Sequence, residues 1–585
     1  MNDKGRSDAA TSLRHDSTTP GGIIVKPSYK TAIRVAKQPR LTRRTAVTGS
    51  AGLIAVTAAS PRIVFAQDAS PIASPSASPV SGETFVPSGV EGVPDVYLKY
   101  PEPKKTYDGV PGKGGTVKAF TISYSPPPTP RDDNQYWQEL EKRLGVTWEI
   151  DMTPQPNYGE KSAAYLAGGD LPDLFYINPG QNASQQYQAL AQGAFLDLTP
   201  YVTGDALQQF QNLSQFPAFM WENLKFQGKI FGVPNPSGRG AGQPHYRVDW
   251  AEKLGESPET SDGLRAMLAA FTNGDPDGNG SQDTWGQGRF NSGCWAWDNR
   301  ITQQAVRAPN NWRLNDDGTL VNVIETDEYR QAIELQIQMF QDGAYHPDAA
   351  SMTFDDSKNT FIAGGTGLHY EGTTSFYGRG TTGGQLAEAH PGAKITNVPI
   401  VAVDGGPGVT HNGPGYFGYV GIPADRGGDE ERVLELLRIL DYLASPFGSE
   451  EQLFLDNGIE GTHWEYNEVG APVRNDKGQQ DISDLTYLMG SQNVLFYADD
   501  PQLGLEVQRV LKDSVAVGIE DPTLVLFSQT NVDQGPVLSQ LGMDSITPIV
   551  TGREPFESLD AAIQAWRDQG GEQIRQEFQE ALQQS

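Results

Sequence analysis

The chain has 585 residues, too many for one small core and enough for two lobes of ordinary domain size plus an appended segment. Its formal charge is −29, yet residues 1–66 carry 11 Lys+Arg against 3 Asp+Glu, which leaves 33 against 70 over the remainder, a net of −37. A surface that acidic repels phosphate backbones and anionic lipid and argues against nucleic acid as a partner. The single cysteine, Cys294, excludes an intrachain disulfide and a cysteine-based zinc site.

In chain order, the first feature is RLTRRTAVTGSAGLIAVTAASPRIVFAQ, with the pair Arg43 and Arg44 ahead of a weakly apolar run. The run is short and contains Gly, Ser and Thr, so it is too weak for a stable membrane span. Val64 and Ala66 suit a signal-peptidase cut after Ala66. Residues 1–66 therefore resemble a twin-arginine export signal, with a long stretch before the Arg pair and without the usual Phe and Lys after it. A flexible basic tail is the alternative. Export implies an extracellular or periplasmic protein, and no cysteine follows the run to carry a lipid anchor. DASPIASPSASPVSGE comes next, a Pro/Ser/Ala tract expected to act as an extended tether, with low order over residues 67–115.

From Thr116 the pattern becomes regular. TVKAFTISY alternates as a strand, and DDNQYWQELEKRLG predicts a helix capped by Asp133, with Tyr136, Leu140 and Leu144 on one face and Gly145 as its stop. VTWEIDM is a strand, YGEKSAAYLAGG a helix and DLFYIN a third strand. Strand, helix, strand, helix, strand in so short a span predicts a parallel α/β sheet. Its ligand would sit beyond the carboxyl ends at Tyr124-Ser125-Pro126 and Tyr176-Ile177-Asn178. Amphipathic helices are expected in DEYRQAIELQIQMFQDG and DEERVLELLRILDYLAS, and two more at the end, split at Gly570-Gly571.

Several phrases then occur in order: GAFLDLTPYV, GKIFGVPNP, YRVDWAEKLG, FTNGDPDGNG, FIAGGTGLHYEG, YLASPFGSEEQLFLDNGIEGTHWEYNEVGAPV and WRDQGGEQIRQEFQEAL. Together they resemble the extracellular solute-binding proteins of bacterial ABC importers, within the long carbohydrate-binding branch that includes lipoprotein-like and alginate-oligosaccharide binding proteins. The resemblance spans residues 116–585. It implies a two-lobed periplasmic-binding-protein-like α/β fold of type II with a hinge between the lobes. Lobe one would hold 116–233 and 400–475, and lobe two 234–399 and 476–585, with the first crossover at Gly232-Val233-Pro234. It also implies a monomer that captures a carbohydrate and delivers it to the membrane subunits of an ABC permease.

Sugars present apolar CH faces and many hydroxyls, so their sites need aromatic platforms edged by polar groups. Tyr124, Tyr246, Trp295, Trp297, Tyr370, Glu371, Phe376, Tyr377 and Tyr416 are the candidate ligand contacts. Phe376 and Tyr377 follow from the resemblance, which places the segment after FIAGGTGLHYEG at the cleft; any single aromatic is otherwise a core residue. Enzymatic signatures are weak. The seven histidines fall in no HExxH, no GxSxG is present, and the GxGxxG at Gly378, Gly380 and Gly383 has no clear helix behind it. A secreted carbohydrate-active enzyme using paired carboxylates remains the alternative to a non-catalytic binding protein.

DPDGNGSQD, from Asp275 to Asp283, alternates oxygen-bearing side chains with glycine as a calcium loop does. Asp275, Asp277 and Asn279 fall at positions one, three and five, Ser281 offers its carbonyl, and Asp283 takes position nine. Gly286 stands where an EF-hand places its bidentate Glu, so the loop is no EF-hand. The resemblance implies a structural calcium here, with Thr284 in place of the usual closing Glu. An ordinary Asp/Asn/Gly turn is the alternative. An oxygen cage of this kind leaves no open position for catalysis.

Overall fold

The computed structural model describes residues 84–181, 183–240, 242–289, 295–298, 300–378 and 380–584. The export segment and the first part of the tether lie outside them. The strand expected from Thr116 runs over Thr116–Ser123, and its burial begins in alternation and becomes continuous from Ala119. That pattern belongs to a strand covered on both faces. It pairs in parallel with Thr147–Pro154 on one side and Leu174–Ile177 on the other. Tyr416–Gly421 joins antiparallel to Leu174–Ile177, and Val233–Pro236 antiparallel to that, completing a five-stranded sheet.

The helix Gln135–Leu144 buries Tyr136, Leu140 and Leu144 as its spacing predicts, and Gly145 ends it at φ 72°. Its cap is Asn134 instead of Asp133, because Asp133 is taken into a preceding 3-10 turn and the Asn134 side chain accepts the Trp137 N–H at 2.9 Å. Phe120 anchors the layer beneath, stacked 5.3 Å from Tyr158 and tilted 4.9 Å from Phe175.

A second sheet runs in the order Trp285–Gln287, Thr366–Glu371, Gln243–Arg247, Ile395–Asn397. The helices Ser261–Asn273 and Asp327–Gln341 pack on it with the C-terminal helices Gln529–Val550, Ser558–Trp566 and Glu572–Gln584 in a separate hydrophobic core. The split expected at Gly570-Gly571 is present, with Gly570 at φ 137°. Two cores on two sheets make a two-lobed α/β architecture, as expected. Among the described residues no helix is long and apolar enough to cross a membrane.

Two boundaries differ from expectation. Ile482, Leu485, Leu488 and Met489, expected in the second lobe, are buried in the first core, where Trp148 donates its Nε1–H to the Leu485 carbonyl at 3.0 Å. Residues 84–115, expected to have low order, form a strap. Phe85–Val86 and Val96–Tyr97 pair, and Leu495–Phe496 joins them in parallel. Val93 and Val96 are buried in a third small cluster with Phe376, Tyr377 and Val507. Tyr97 and Tyr100 then lie 4.8 and 5.2 Å from Phe447, and the Thr106 and Tyr107 N–H groups donate to the Glu451 carboxylate. The strap has no periodicity of its own; its order comes from partners some 340 residues away.

Candidate functional site

The carboxyl edge of the first sheet carries two large aromatic rings in the open. Tyr124, directly after Thr116–Ser123, is 51% exposed and Phe417 is 45% exposed. Their rings are edge-on at 6.3 Å, and Tyr124 is tilted 5.5 Å from Tyr487. The turn beneath Tyr124 is held by Asp484, whose Oδ2 accepts the Ser123 hydroxyl at 2.8 Å and the N–H groups of Tyr124 and Ser125 at 2.8 and 2.9 Å. The Ser125 hydroxyl donates to its Oδ1 at 3.0 Å. Burial, with Asp484 beside it, pushes the Tyr124 phenol up to about 12, so it stays a hydrogen-bond donor at neutral pH. Asn235, at the end of the sheet's last strand, donates to the Tyr487 carbonyl at 3.1 Å and fixes that residue's backbone.

A cavity of about 540 Å³ opens beside Phe417 and Tyr487 and is lined further by Asn235, Asp484, Asp456 and Arg474. On the other flank of the same edge a cavity of about 200 Å³ separates Tyr187, Phe226, Tyr416 and Tyr419 from residues 521–528. There Phe226 meets Phe527 edge-on at 5.0 Å within the first core, and Gln188 donates to Asp533 of the helix Gln529–Val550 at 2.9 Å. The sheet edge is thus flanked by space on both sides, with exposed rings between.

Of the residues expected at the site, Tyr124 contacts Phe417 and Tyr487 on the wall of the larger cavity, and Tyr416 lines the smaller one, its hydroxyl donating to the Asn223 carbonyl at 3.1 Å. Trp295 lines a separate cavity of about 250 Å³ with Trp312 and Trp566. The others correct the expectation. Tyr246 is buried in the second core, and Trp297 is fully buried there, its ring edge-on to Phe340 and Tyr345. Phe376 is buried with its ring stacked 3.8 Å from His245, and Tyr377 is buried with its hydroxyl 2.9 Å from His245 Nε2. Tyr370 packs against the second core. Glu371 accepts the Thr382 hydroxyl at 2.6 Å; burial raises its carboxyl, but His369 and Thr382 together hold it below the ordinary value. A helix, Thr382–Ala389 capped by Thr381, does follow the glycines at 378–383. For Tyr246, Trp297, Phe376 and Tyr377 a large ring was the residue a core needed.

Tyr487, Asp484 and Asn235 are absent from the sequence-derived set. Phe417 stands one residue from Tyr416, where the strand's register shifts, and lines the larger cavity while Tyr416 lines the smaller. Tyr487 and Asp484 sit in no strand and reach the edge only through tertiary packing.

In the Asp275 loop the donor types suit a hard cation, but they are hydrogen-bonded to one another. The Asn279 amide donates to Asp277 Oδ2 at 2.7 Å and to both Asp283 oxygens at 3.2 Å. Asp275 accepts the N–H groups of Gly278 and Gly280 at 3.0 and 3.2 Å, and Ser281 N–H donates to Asn279 Oδ1 at 2.6 Å. Among the described residues no three acidic, histidine or cysteine side chains cluster as metal ligands. Thr284 does not face the loop; its buried hydroxyl donates to the Phe271 carbonyl at 2.9 Å, at the end of the helix before it. The positive pole of one amide therefore stands among carboxylates, where a cation would take its place.

No family model matches the chain. Among curated proteins it is 24% identical over 500 residues to lipoprotein LipO of Bacillus subtilis, covering 82% of this chain and 95% of that one. It is 23% identical over 464 residues to the polygalacturonan/rhamnogalacturonan-binding protein YtcQ of the same organism, covering 77% and 88%. Among solved structures it aligns with the Streptococcus pneumoniae ABC-transporter substrate-binding protein FusA in complex with kestose, TM-score 0.58, 16% identity, covering 80% of this chain and 99% of that one. The alginate-binding protein AlgQ2 without calcium ion aligns with TM-score 0.54 and 17% identity over 82% and 99%. The fold is therefore that of the substrate-binding proteins.

Proposed function

We propose, from the substrate-binding-protein fold shared with these relatives, that the chain is an exported protein that captures an oligosaccharide between its lobes and hands it to the membrane subunits of an ABC permease. The observation that carries this reading is the exposed pair Tyr124 and Phe417 above a cavity of about 540 Å³ edged by Asn235, Asp484 and Arg474. Aromatic faces with polar groups around them suit a sugar's CH faces and hydroxyls. Ligand touching both lobes would favour the closed arrangement, since contacts made in only one state shift the balance toward it. The protein would bind without turnover, as a monomer, after cleavage of a twin-arginine signal following Ala66.

Thermal-shift and calorimetric screening of the purified protein with oligosaccharides tests the reading. Saturable binding with the sugar recovered intact supports it; cleaved products appearing with turnover would instead favour the carbohydrate-active enzyme. We also propose that the Asp275 loop holds a structural calcium through Asp275, Asp277, Asn279, Ser281 and Asp283. The hard-oxygen donor set and the calcium named for AlgQ2 support it.

A further inference from the structure

The larger cavity continues past Tyr487 to a wall built by the N-terminal strap. Tyr100 comes from the strap and lies edge-on to Phe447 at 5.2 Å and to Phe496 at 5.6 Å, and all three line the cavity. Two polar atoms in this wall are buried without a hydrogen-bond partner, Tyr100 Oη and Gln452 Oε1. An unpartnered buried polar atom is destabilising, so two in one wall mark a place where a ligand's hydroxyls would relieve the cost. Gln452 gives its amide N–H to Asp456, which leaves its oxygen to accept from elsewhere. Asp456 is exposed and lines the cavity beside Gln452.

The charged side chains lining this space are Asp456, Asp484 and Arg474, one negative charge in excess. Asp484 is already engaged by four donors, and Arg474 is the counter-charge to Asp456. Desolvation raises the Asp456 carboxyl to about 6, with Arg474 and Gln452 opposing the rise, and the exposed group is ionised at pH 7.5. A second carboxylate brought beside it from a ligand would meet like charge. An uncharged ring carrying hydroxyls meets no such barrier. It would find aromatic faces in Tyr100, Phe447 and Phe496, a donor in Tyr100 Oη and acceptors in Gln452 Oε1 and Asp456.

We propose that this end of the cavity is a subsite for an uncharged sugar ring, with Tyr100 and Gln452 reading its hydroxyls and Asp456 excluding sugar acids. The proposal rests on the carbohydrate reading and narrows it to neutral glycans, in contrast to the polygalacturonan in the name of YtcQ. It also gives the strap a role in specificity.

The test is calorimetry of the full purified protein at pH 7.5 against neutral gluco-, fructo-, galacto- and manno-oligosaccharides and against oligogalacturonates of the same length. The expected result is a neutral ligand bound at least about tenfold more tightly than any oligogalacturonate. Tyr100→Phe, which keeps the ring and removes only the hydroxyl, should weaken that ligand about five- to tenfold with an unchanged melting temperature. Asp456→Asn should narrow the gap between neutral and acidic sugars. An oligogalacturonate that binds as tightly as every neutral sugar, or a Tyr100→Phe protein of unchanged affinity, overturns this inference and leaves the carbohydrate reading standing. No binding anywhere in the panel overturns both.

Discussion

The Asp484 carboxylate accepts the backbone N–H of Tyr124 at 2.8 Å across 360 residues of chain. The exposed ring at the sheet edge is therefore aimed by a residue from the far end of the same lobe. Substituting the two residues should separate aim from contact. Tyr124→Ala removes a half-exposed ring and should weaken oligosaccharide binding about tenfold or more, since an apolar ring covered by ligand contributes about 1.5–3 kcal/mol. Its melting temperature should barely move. Asp484→Ala strands four donors and should lower stability by roughly 2–4 kcal/mol while also weakening binding. Chemical denaturation and calorimetry on both variants check this; equal losses of stability would refute the division of roles.

The first sheet and the helix Gln135–Leu144 are legible in the sequence because period and punctuation agree there: Tyr136, Leu140 and Leu144 recur at helical spacing and Gly145 takes a left-handed φ. The site is legible only in part. Tyr124 can be found because it ends a recognisable strand. Trp297 and Phe376 look equally suited to stack on a sugar, but the same apolar faces suit a core, and composition cannot tell which neighbour arrives. Tyr487, Asp484 and Tyr100 are set by contacts between segments hundreds of residues apart, and no local pattern records those contacts. The strap illustrates the point, since Pro and Gly around Val93 and Val96 read as a tether while the burial of those two valines makes it part of the body.

Gly383 is required by close approach. A methyl group built there would lie 1.9 Å from the Phe376 carbonyl oxygen and 2.7 Å from the Ile395 side chain. Gly383→Ala must push the helix Thr382–Ala389 off the turn that carries Phe376, costing about 1–3 kcal/mol or more by overpacking. A drop in the denaturation midpoint with an unchanged slope checks it, and Gly380→Ala does not share the mechanism, since no atom lies within 4 Å of a methyl there.

His245 should make stability fall in acid. Burial lowers its imidazole to about 3, with the Gln243 carbonyl opposing and His369 assisting, whereas an unfolded histidine titrates near 6.5. The depressed value means the unfolded chain takes the proton first. The contribution is fully present above about pH 6.5 and is lost as pH falls toward 3, at up to about 1.4 kcal/mol per pH unit. His411, lowered to about 4 by burial and Arg300, acts in the same sense. Asp298 and Asp441, each raised to about 6 by burial, act oppositely, their stability being full below the ordinary carboxyl value and lost as pH rises through 6. The informative quantity is thus a difference. Between pH 6 and 4 the His245→Asn protein should have a pH slope shallower in acid loss by about 1.4 kcal/mol per unit than the parent, measured by urea denaturation. Parallel slopes would place the proton elsewhere.

The Asp275 loop makes its own prediction, because its carboxylates are gathered around an amide, while the Lys253 ammonium donates to the Asp275 and Pro276 carbonyls at 3.3 and 2.8 Å. Asn279 donates to both Asp277 and Asp283, and only a turn of its amide is needed to present oxygen inward with theirs. Added calcium should then replace the amide protons and raise the melting temperature on the order of 1–5 °C, by binding the folded loop and not the unfolded chain. A chelator should reverse the rise and magnesium should reproduce little of it, since the smaller ion demands a tighter octahedron than this open turn offers. Asp277→Ala should melt at the chelated temperature and ignore both additions. A parent protein whose melt is unmoved by chelator or calcium, and in which elemental analysis finds no calcium, would make the loop an Asx turn held by its own hydrogen bonds.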